Sequence, residues 1–322
     1  MDHASRTLLP LALLLACSEP PPAATCGALG CEPTQFDADA KQVLPPTFIA
    51  SGGALYWADG VRGIYRLDLD DESTKLGELP EDPDLDVSGN SATSLVILGD
   101  TAYLGIGASG GVYAVPIAGG EVTEAFADRY VFQVAAYGDL LVWGTASGPI
   151  SIGDPADGSF EQLAEVSQLA TNTAVSGDYV YVHSVDGQTR IDMRTREIKT
   201  EDIDVFAIPL ATSPTGVYWD SFDGIYHRLN SEDGAAKLII PRADAQVRTI
   251  DVYTGTNEGL LYAEGKAIKH YILASGKSEV LQTQDIGAIV ALTSDDQGYY
   301  WVNEFGGVYG VGWPDTAPAD AP

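Results

Sequence analysis

Short apolar segments separated by polar turns run along most of the chain. Residues 47–79 show the arrangement: the segments TFIA, ALYWA, GIYRLDL and TKLGEL are separated by the turns SGG, DGVR and DDES. Alternation of this kind, bounded by Gly, Asp and Ser, is typical of short antiparallel strands, and no stretch shows helical periodicity. The pattern predicts an all-β protein.

The four-strand unit recurs about every 40 residues, which indicates a stacked or radial repeat. Four antiparallel strands in each period describe a β-propeller blade. Tyr-Trp pairs in the second strands and Gly-(Ile/Val)-Tyr in the third strands recur with the unit, and we interpret these aromatic residues as core. Aligning the second strands gives seven equivalent positions: Trp57, Leu104, Trp143, Val182, Trp219, Ala263 and Trp301. We therefore predict a seven-bladed β-propeller of four-stranded antiparallel blades, with six blades as the alternative if one weak unit is misread.

The last unit supplies only three strands, GAIVAL, GYYWVN and GGVYGVGW, before a Pro-rich end. Residues 40–46, AKQVLPP, resemble the outer strand AAKLIIP at 235–241. We expect this N-terminal strand to close the last blade, because closure removes a seam of open strand edges.

The N-terminal sequence indicates a location. Residues 1–16 are predicted to be a signal peptide, since the apolar run Leu8–Ala16 is too short to span a bilayer. The run ends in Leu-Leu-Ala-Cys, which resembles a bacterial lipobox and implies a lipidated Cys17. With Ser18 next, the resemblance implies anchoring in the cell envelope, at the outer membrane. Secretion with an incidental Cys is the alternative.

Residues 17–39 are predicted to hold the lipidated Cys, a Pro-rich tether and a small disulfide loop, followed by the propeller at 40–313 and a disordered tail at 314–322. Cys26 and Cys31 are the thiols left after Cys17. In an oxidising compartment we expect them to pair, and two thiols alone are too few for a metal site.

The formal net charge of −29 excludes one class of partner. Nucleic acid binding needs clustered Lys and Arg, so we predict no nucleic acid partner. The scattered acids are interpreted as a solubility device. We expect a monomer that meets the membrane through its lipid anchor only.

Residues 55–71, LYWADGVRGIYRLDLDD, resemble the YWTD repeat of the low-density-lipoprotein-receptor propellers at Tyr56, Trp57, Asp59, Ile64 and Arg66. Looser copies follow at 217–234 and 299–311. The resemblance implies a propeller fold and transfers no receptor function, because the Thr is absent from all three copies and no Cys-rich module follows.

The predicted binding face is the one that carries the loops between second and third strands and the loops between blades, because length variation concentrates there, above all at 79–92. Solvated turn residues are the alternative interpretation of its polar side chains. The candidate residues on this face are Asp59, Arg62, His183, Asp220, Asp223, Glu264 and Glu304.

A weak calcium motif lies in the longest of these loops. Asp82, Asp84 and Asp86 alternate as at the start of a calcium loop, but Thr93 stands where a bidentate Glu is required. No other cofactor or metal is predicted.

Two functions follow from these observations. The preferred hypothesis is a lipid-anchored binding module for a protein or glycan of the envelope, because no nucleophile elbow, metal-binding His motif or free Cys nucleophile is present. The alternative is an envelope hydrolase or lyase acting on a sugar, lactone or related small molecule, with His183, Glu264 and Asp220 as catalytic residues.

Overall fold

The chain folds as seven four-stranded antiparallel sheets, a seven-bladed β-propeller, as predicted. The computed structural model describes residues 29–40, 43, 47–60, 62–69, 72–80, 92–107, 110–167, 170, 172–185, 187–201, 211–221, 223–231, 236–242, 252–283 and 287–313. Within these residues there is no helix that could cross a membrane. The six-bladed alternative is wrong.

Each of the first six blades consists of four consecutive strands. Blade one holds β2 (Phe48–Ser51), β3 (Ala54–Ala58), β4 (Gly63–Asp68) and β5 (Thr74–Glu78). Blade two holds β6 (Ala92–Leu98), β7 (Thr101–Ile106), β8 (Val112–Pro116) and β9 (Thr123–Phe126). Blade three holds β10 (Val131–Tyr137), β11 (Leu140–Thr145), β12 (Pro149–Asp154) and β13 (Ser159–Glu165).

The second half of the ring repeats the pattern. Blade four holds β14 (Asn172–Ser176), β15 (Tyr179–Ser184), β16 (Gly187–Asp192) and β17 (Ile198–Glu201). Blade five holds β18 (Ala211–Ser213), β19 (Gly216–Ser221), β20 (Gly224–Leu229) and β21 (Lys237–Pro241). Blade six holds β22 (Val252–Gly255), β23 (Gly259–Glu264), β24 (Ala267–Ile272) and β25 (Lys277–Thr283).

Blade seven is built from both ends of the chain. It holds β26 (Ile289–Ser294), β27 (Gly298–Asn303), β28 (Gly307–Gly312) and, as its outer strand, β1 (Thr34–Asp39). The predicted closure by an N-terminal strand is confirmed, but the closing strand is β1 and not residues 40–46. Ala40 and Val43, which follow β1, are instead buried in the joint with blade one. The N-terminal strand of the ring therefore begins before the predicted boundary at residue 40.

The ring has two faces that are used as references below. The hairpin face carries the turns between first and second strands and between third and fourth strands. The loop face carries the turns between second and third strands and the connections from one blade to the next. The first strands of neighbouring blades contact one another, so they line the axis of the ring.

Two-residue turns at the hairpin face join the first and second strands of blades two, three and four. Gly99, Gly138 and Gly177 each open a two-residue Gly-Asp turn with φ of 57°, 59° and 56°. Positive φ is accessible to Gly at little cost, which favours this residue at the first position of such a hairpin.

Within the part of the chain that the structure describes, the core consists of seven apolar clusters, one between each pair of neighbouring blades. The recurring aromatic residues fill these joints. In blades one, five and seven the second-strand Trp stacks on the third-strand Tyr opposite to it. The ring centroids are 5.5 Å apart for Trp57 and Tyr65, 5.9 Å for Trp219 and Tyr226, and 5.6 Å for Trp301 and Tyr309.

The strand register corrects one position of the predicted repeat. In blade six, Gly255 pairs with Leu260, and Tyr262 packs toward blade five as Trp219 packs toward blade four. Tyr262, and not Ala263, is therefore the equivalent of Trp57. Because side chains alternate across a sheet, this one-residue difference also changes which neighbouring blade the side chain of Glu264 is directed toward.

Candidate functional site

The predicted residues of the loop face take part in local contacts of their own blades. Asp59 stabilises the turn that follows β3: its Oδ1 accepts the backbone N–H of Arg62 at 2.7 Å and of Gly63 at 2.8 Å, and its Oδ2 accepts the Tyr65 hydroxyl at 3.2 Å. Arg62 forms an ion pair with Glu78 at 2.9 Å. Both side chains therefore have a structural role in blade one.

Asp223 and Glu304 are held in the same way. The Tyr226 hydroxyl donates to Asp223 Oδ2 at 2.8 Å, and Glu304 Oε1 accepts the backbone N–H of Ala288 at 3.1 Å. Asp223 therefore stabilises its own turn, and Glu304 ties its turn to the connection that enters blade seven.

Two candidate carboxylates are paired with cations. Asp220 is buried and forms an ion pair with Arg242 at 2.5 Å, and Arg242 also donates to the backbone oxygen of Ser221 at 2.8 Å. Glu264 forms an ion pair with Lys269 on the next strand. Since a buried charge is costly unless it is paired, the Asp220–Arg242 pair ties the connection after β21 to blade five.

His183 lies at the joint between blades four and five. Its cross-strand neighbours are Asn172 and Gln188, both buried. Burial lowers the pKa of His183, so its imidazole is neutral at neutral pH. Its buried Nδ1 has no hydrogen-bond partner among the described residues, and neither has either amide atom of Gln188. These three residues therefore form a buried polar cluster with unused hydrogen-bonding atoms.

The three residues proposed for catalysis do not converge. Tyr181 packs against Trp219 of blade five, so His183, two residues later on the same side of β15, also faces blade five. Tyr218 packs against blade six, so Asp220 faces blade six. The sheet of blade five therefore stands between His183 and Asp220.

A weak calcium motif is the one metal candidate that the sequence offers on this face. Asp82, Asp84 and Asp86 lie outside the described residues, and the calcium motif stays a prediction. Elsewhere in the described ranges, no group of three or more His, Cys, Asp or Glu side chains is arranged to hold a metal ion.

Exposed apolar side chains occur on the loop face. Tyr130, Val185 and Phe305 lie in its connections, and Tyr130 adopts φ of 62°, a conformation that few non-glycine residues take. The remaining exposed large apolar residues of the described chain lie on outer strands: Phe160, Ile198 and Val280.

The N-terminal segment leaves the ring at the hairpin face. Strand β1 pairs with β28 from Thr34 opposite Gly310 to Asp39 opposite Gly307, and Gly312 donates to Gly30. Thr34 therefore lies toward the hairpin face and Asp39 toward the loop face. Cys17 and Cys26 lie outside the described residues, so lipidation and the disulfide to Cys31 stay predictions.

A cavity of about 540 Å³ opens on the hairpin face between blades six and seven. The binding face predicted from the sequence is the opposite one, and His270, which lines this cavity, is not among the predicted site residues. The signals that point to the cavity are a Trp directly after the last strand, Trp313, and acidic residues in the adjacent turns. Its lining residues are Pro214, Gly255, Thr256, Asn257, Glu258, His270, Ile272, Glu279, Leu281, Ser294, Asp295, Asp296 and Trp313.

Comparison with known proteins supports the fold alone. No protein-family model matches the chain, and no curated protein matches it significantly, so the YWTD resemblance stays a prediction. Virginiamycin B lyase from Staphylococcus aureus is 13% identical, with a TM-score of 0.68 over 88% of this chain and 99% of that one. The Neurospora crassa Pan2 WD40 domain is 12% identical, with a TM-score of 0.68 over 88% and 96%. A chain of the mitotic checkpoint complex is 16% identical, with a TM-score of 0.67 over 97% and 100%.

Proposed function

We propose that this protein is a binding module of the bacterial cell envelope, tethered through a lipid on Cys17, that presents its loop face to a protein or glycan. The observation that carries the proposal is the direction of β1. Because the N-terminal segment leaves at the hairpin face, a tether attached there directs the loop face away from the membrane. Similarity in fold to a WD40 domain supports an interaction role.

The state of the candidate side chains supports binding over catalysis. Asp220 and Glu264 are ion-paired, and His183 is separated from Asp220 by the sheet of blade five. The loop face instead offers exposed apolar side chains, among which Phe305 has 68% of its surface accessible. Because variable loops on a rigid scaffold commonly carry binding residues, these side chains are the candidates for contact with a partner.

Membrane fractionation tests the anchor. Cys17→Ser should move the protein from the membrane to the soluble fraction, whereas Ser18→Ala, which keeps the acceptor thiol, should leave it in the membrane. Retention of Cys17→Ser in the membrane would overturn lipid anchoring.

Quantitative capture from solubilised envelope tests the loop face. Phe305→Ser should reduce recovery of a captured partner by at least about tenfold if this side chain is central to the contact. Val280→Ser is the matched control, because Val280 is similarly exposed, at 60%, but lies on an outer strand. Equal recovery with both variants would refute the proposed face.

A lyase is the second candidate, favoured by the fold similarity to virginiamycin B lyase and by the neutral imidazole of His183, whose buried Nδ1 has no hydrogen-bond partner among the described residues. Incubation of the purified protein with virginiamycin B and a panel of lactones and sugars tests it. Turnover that His183→Ala abolishes would establish an enzyme and displace the binding proposal.

A further inference from the structure

The cavity on the hairpin face is large enough to hold a small molecule. Its volume of about 540 Å³ is within the range of about 300–1,000 Å³ that ligand pockets occupy. The cavity lies between blades six and seven, and the loop-face partner proposed above would not contact it.

One wall of the cavity is aromatic and apolar. Trp313 is held in place by its Nε1, which donates to the backbone oxygen of Asp295 at 2.7 Å, and by ring contacts with Tyr299 and His270 at centroid distances of 5.3 Å and 5.7 Å. Ile272 and Leu281 add aliphatic surface. The indole is therefore fixed before any ligand arrives.

The rest of the lining is acidic. Glu258, Glu279, Asp295 and Asp296 contribute four carboxylates, and none of the described lining residues is Lys or Arg. Glu258, Glu279 and Asp296 form no ion pair with a described residue. Burial lowers the pKa of His270, so the imidazole adds no positive charge at neutral pH. The cavity therefore attracts cations.

The hydrogen bonds of Thr256 determine which nitrogen of His270 carries its proton. Thr256 Oγ1 accepts the backbone N–H of Gly259 at 2.9 Å and of Glu258 at 3.3 Å. Its own hydroxyl hydrogen is left for His270 Nε2, at 3.1 Å. Nε2 is then the acceptor, and Nδ1 of the neutral ring carries the proton. His270 is 7% exposed, and its Nδ1 makes no hydrogen bond to a described residue, so a donor remains available at this wall.

We propose that this cavity binds a small organic ammonium ion that also carries a hydrogen-bond acceptor. The carboxylates attract the charge, Trp313 offers the aromatic surface on which an ammonium group packs, and His270 donates to the acceptor. An inorganic cation is disfavoured, because the carboxylates that the structure describes are not gathered into a metal-binding group.

Isothermal titration of the purified protein tests the proposal with choline and ethanolamine as probes. We expect saturable binding with a Kd of about 1 mM or tighter. 3,3-Dimethylbutan-1-ol, which has the shape and hydroxyl of choline without the charge, should bind at least about tenfold more weakly. Absence of saturation for both amines at about 10 mM, or equal affinity for the uncharged compound, would overturn the proposal.

Variants locate the binding. Trp313→Leu should weaken choline binding by about 3- to 30-fold, the range expected for loss of a cation–π contact. Glu279→Gln should weaken it as well and serves if the Trp313 variant does not fold. Glu124→Gln is the matched control, because Glu124 is an exposed acid on β9, an outer strand in blade two. Weakening by Glu124→Gln equal to that by Glu279→Gln would place the binding elsewhere and refute the site. Displacement of choline by stoichiometric Ca²⁺ would show that the carboxylates bind a metal ion and would overturn the proposal of an organic ammonium ligand.

Discussion

Phe36 is the residue whose removal tests ring closure most directly. It is the largest buried side chain that the N-terminal segment contributes to the joint between blades seven and one, with 7% of its surface exposed. It packs there with Tyr300, Val302 and Val308 of blade seven. Truncation of a buried Phe to Ala costs about 3–5 kcal/mol, as a sum of lost transfer free energy and the cavity left behind.

We expect Phe36→Ala to lower the free energy of unfolding by about 3 kcal/mol, the lower end of that range, because β1 is an outer strand and the joint can partly collapse. Since domains are stable by only about 5–15 kcal/mol, this loss is a large fraction of the total. Equilibrium urea unfolding followed by Trp fluorescence measures it, because Trp57 is buried in the same cluster.

Phe305→Ala is the matched control for this measurement. It removes the same side chain from the same blade, but Phe305 is 68% exposed, so the change should stay within about 0.5 kcal/mol. A loss below about 1 kcal/mol for Phe36→Ala, or an equal loss for both variants, would refute closure of the ring through β1.

Three further predictions concern single contacts. Asp128→Ala should cost about 1.5–3 kcal/mol in urea unfolding, because Trp143 Nε1 donates to its carboxylate at 2.8 Å; an unchanged midpoint would contradict this. Gly255→Ala should impair folding, since a Cβ there would lie 1.9 Å from the backbone oxygen of Thr212 in blade five; wild-type soluble yield and melting temperature would argue against such a tight joint. Burial lowers the pKa of His227 to about 4 in the folded state, below the unfolded value of about 6.5. The unfolded state therefore binds more protons between these pH values, and the free energy of unfolding should fall as pH drops from about 6.5 to 4. His227→Phe should flatten this part of the pH profile relative to wild type, and identical profiles would exclude the assignment.

The repeat could be predicted from sequence because its signals are local. Alternation of side chains and Gly-Asp turns such as Gly99 and Gly138 specify hairpins within a few residues of each other, and the number of such units gives the number of blades. The positions of Trp57, Trp219 and Trp301 in the joints follow from the same alternation, since a large apolar residue on one face of a strand needs a neighbouring sheet to cover it.

Sequence-based predictions were wrong where contacts between residues distant in the sequence determine the strand pairing. Residues 40–46 resemble other outer strands, but pairing with Gly310 and Gly307 makes β1 the closing strand, and Ala40 and Val43 are buried in the joint instead. In blade six the alignment by similarity chose Ala263, whereas the cross-strand register chooses Tyr262. A shift of one residue changes which side of a sheet a side chain faces, and local similarity does not resolve it.

The candidate sites also separate into features that local sequence specifies and features that only the packing of the blades specifies. The sequence alone determined the all-β class, the repeat, the count of blades and an acidic surface, because these depend on composition and on spacing between near neighbours. Only the tertiary structure decided that His183 and Asp220 lie on opposite sides of a sheet, and that Pro214, His270 and Trp313 border one cavity. The physical reason is that a cavity between blades is formed by how two rigid sheets meet, and that angle is set by the packing of the whole ring and not by any one segment of the chain.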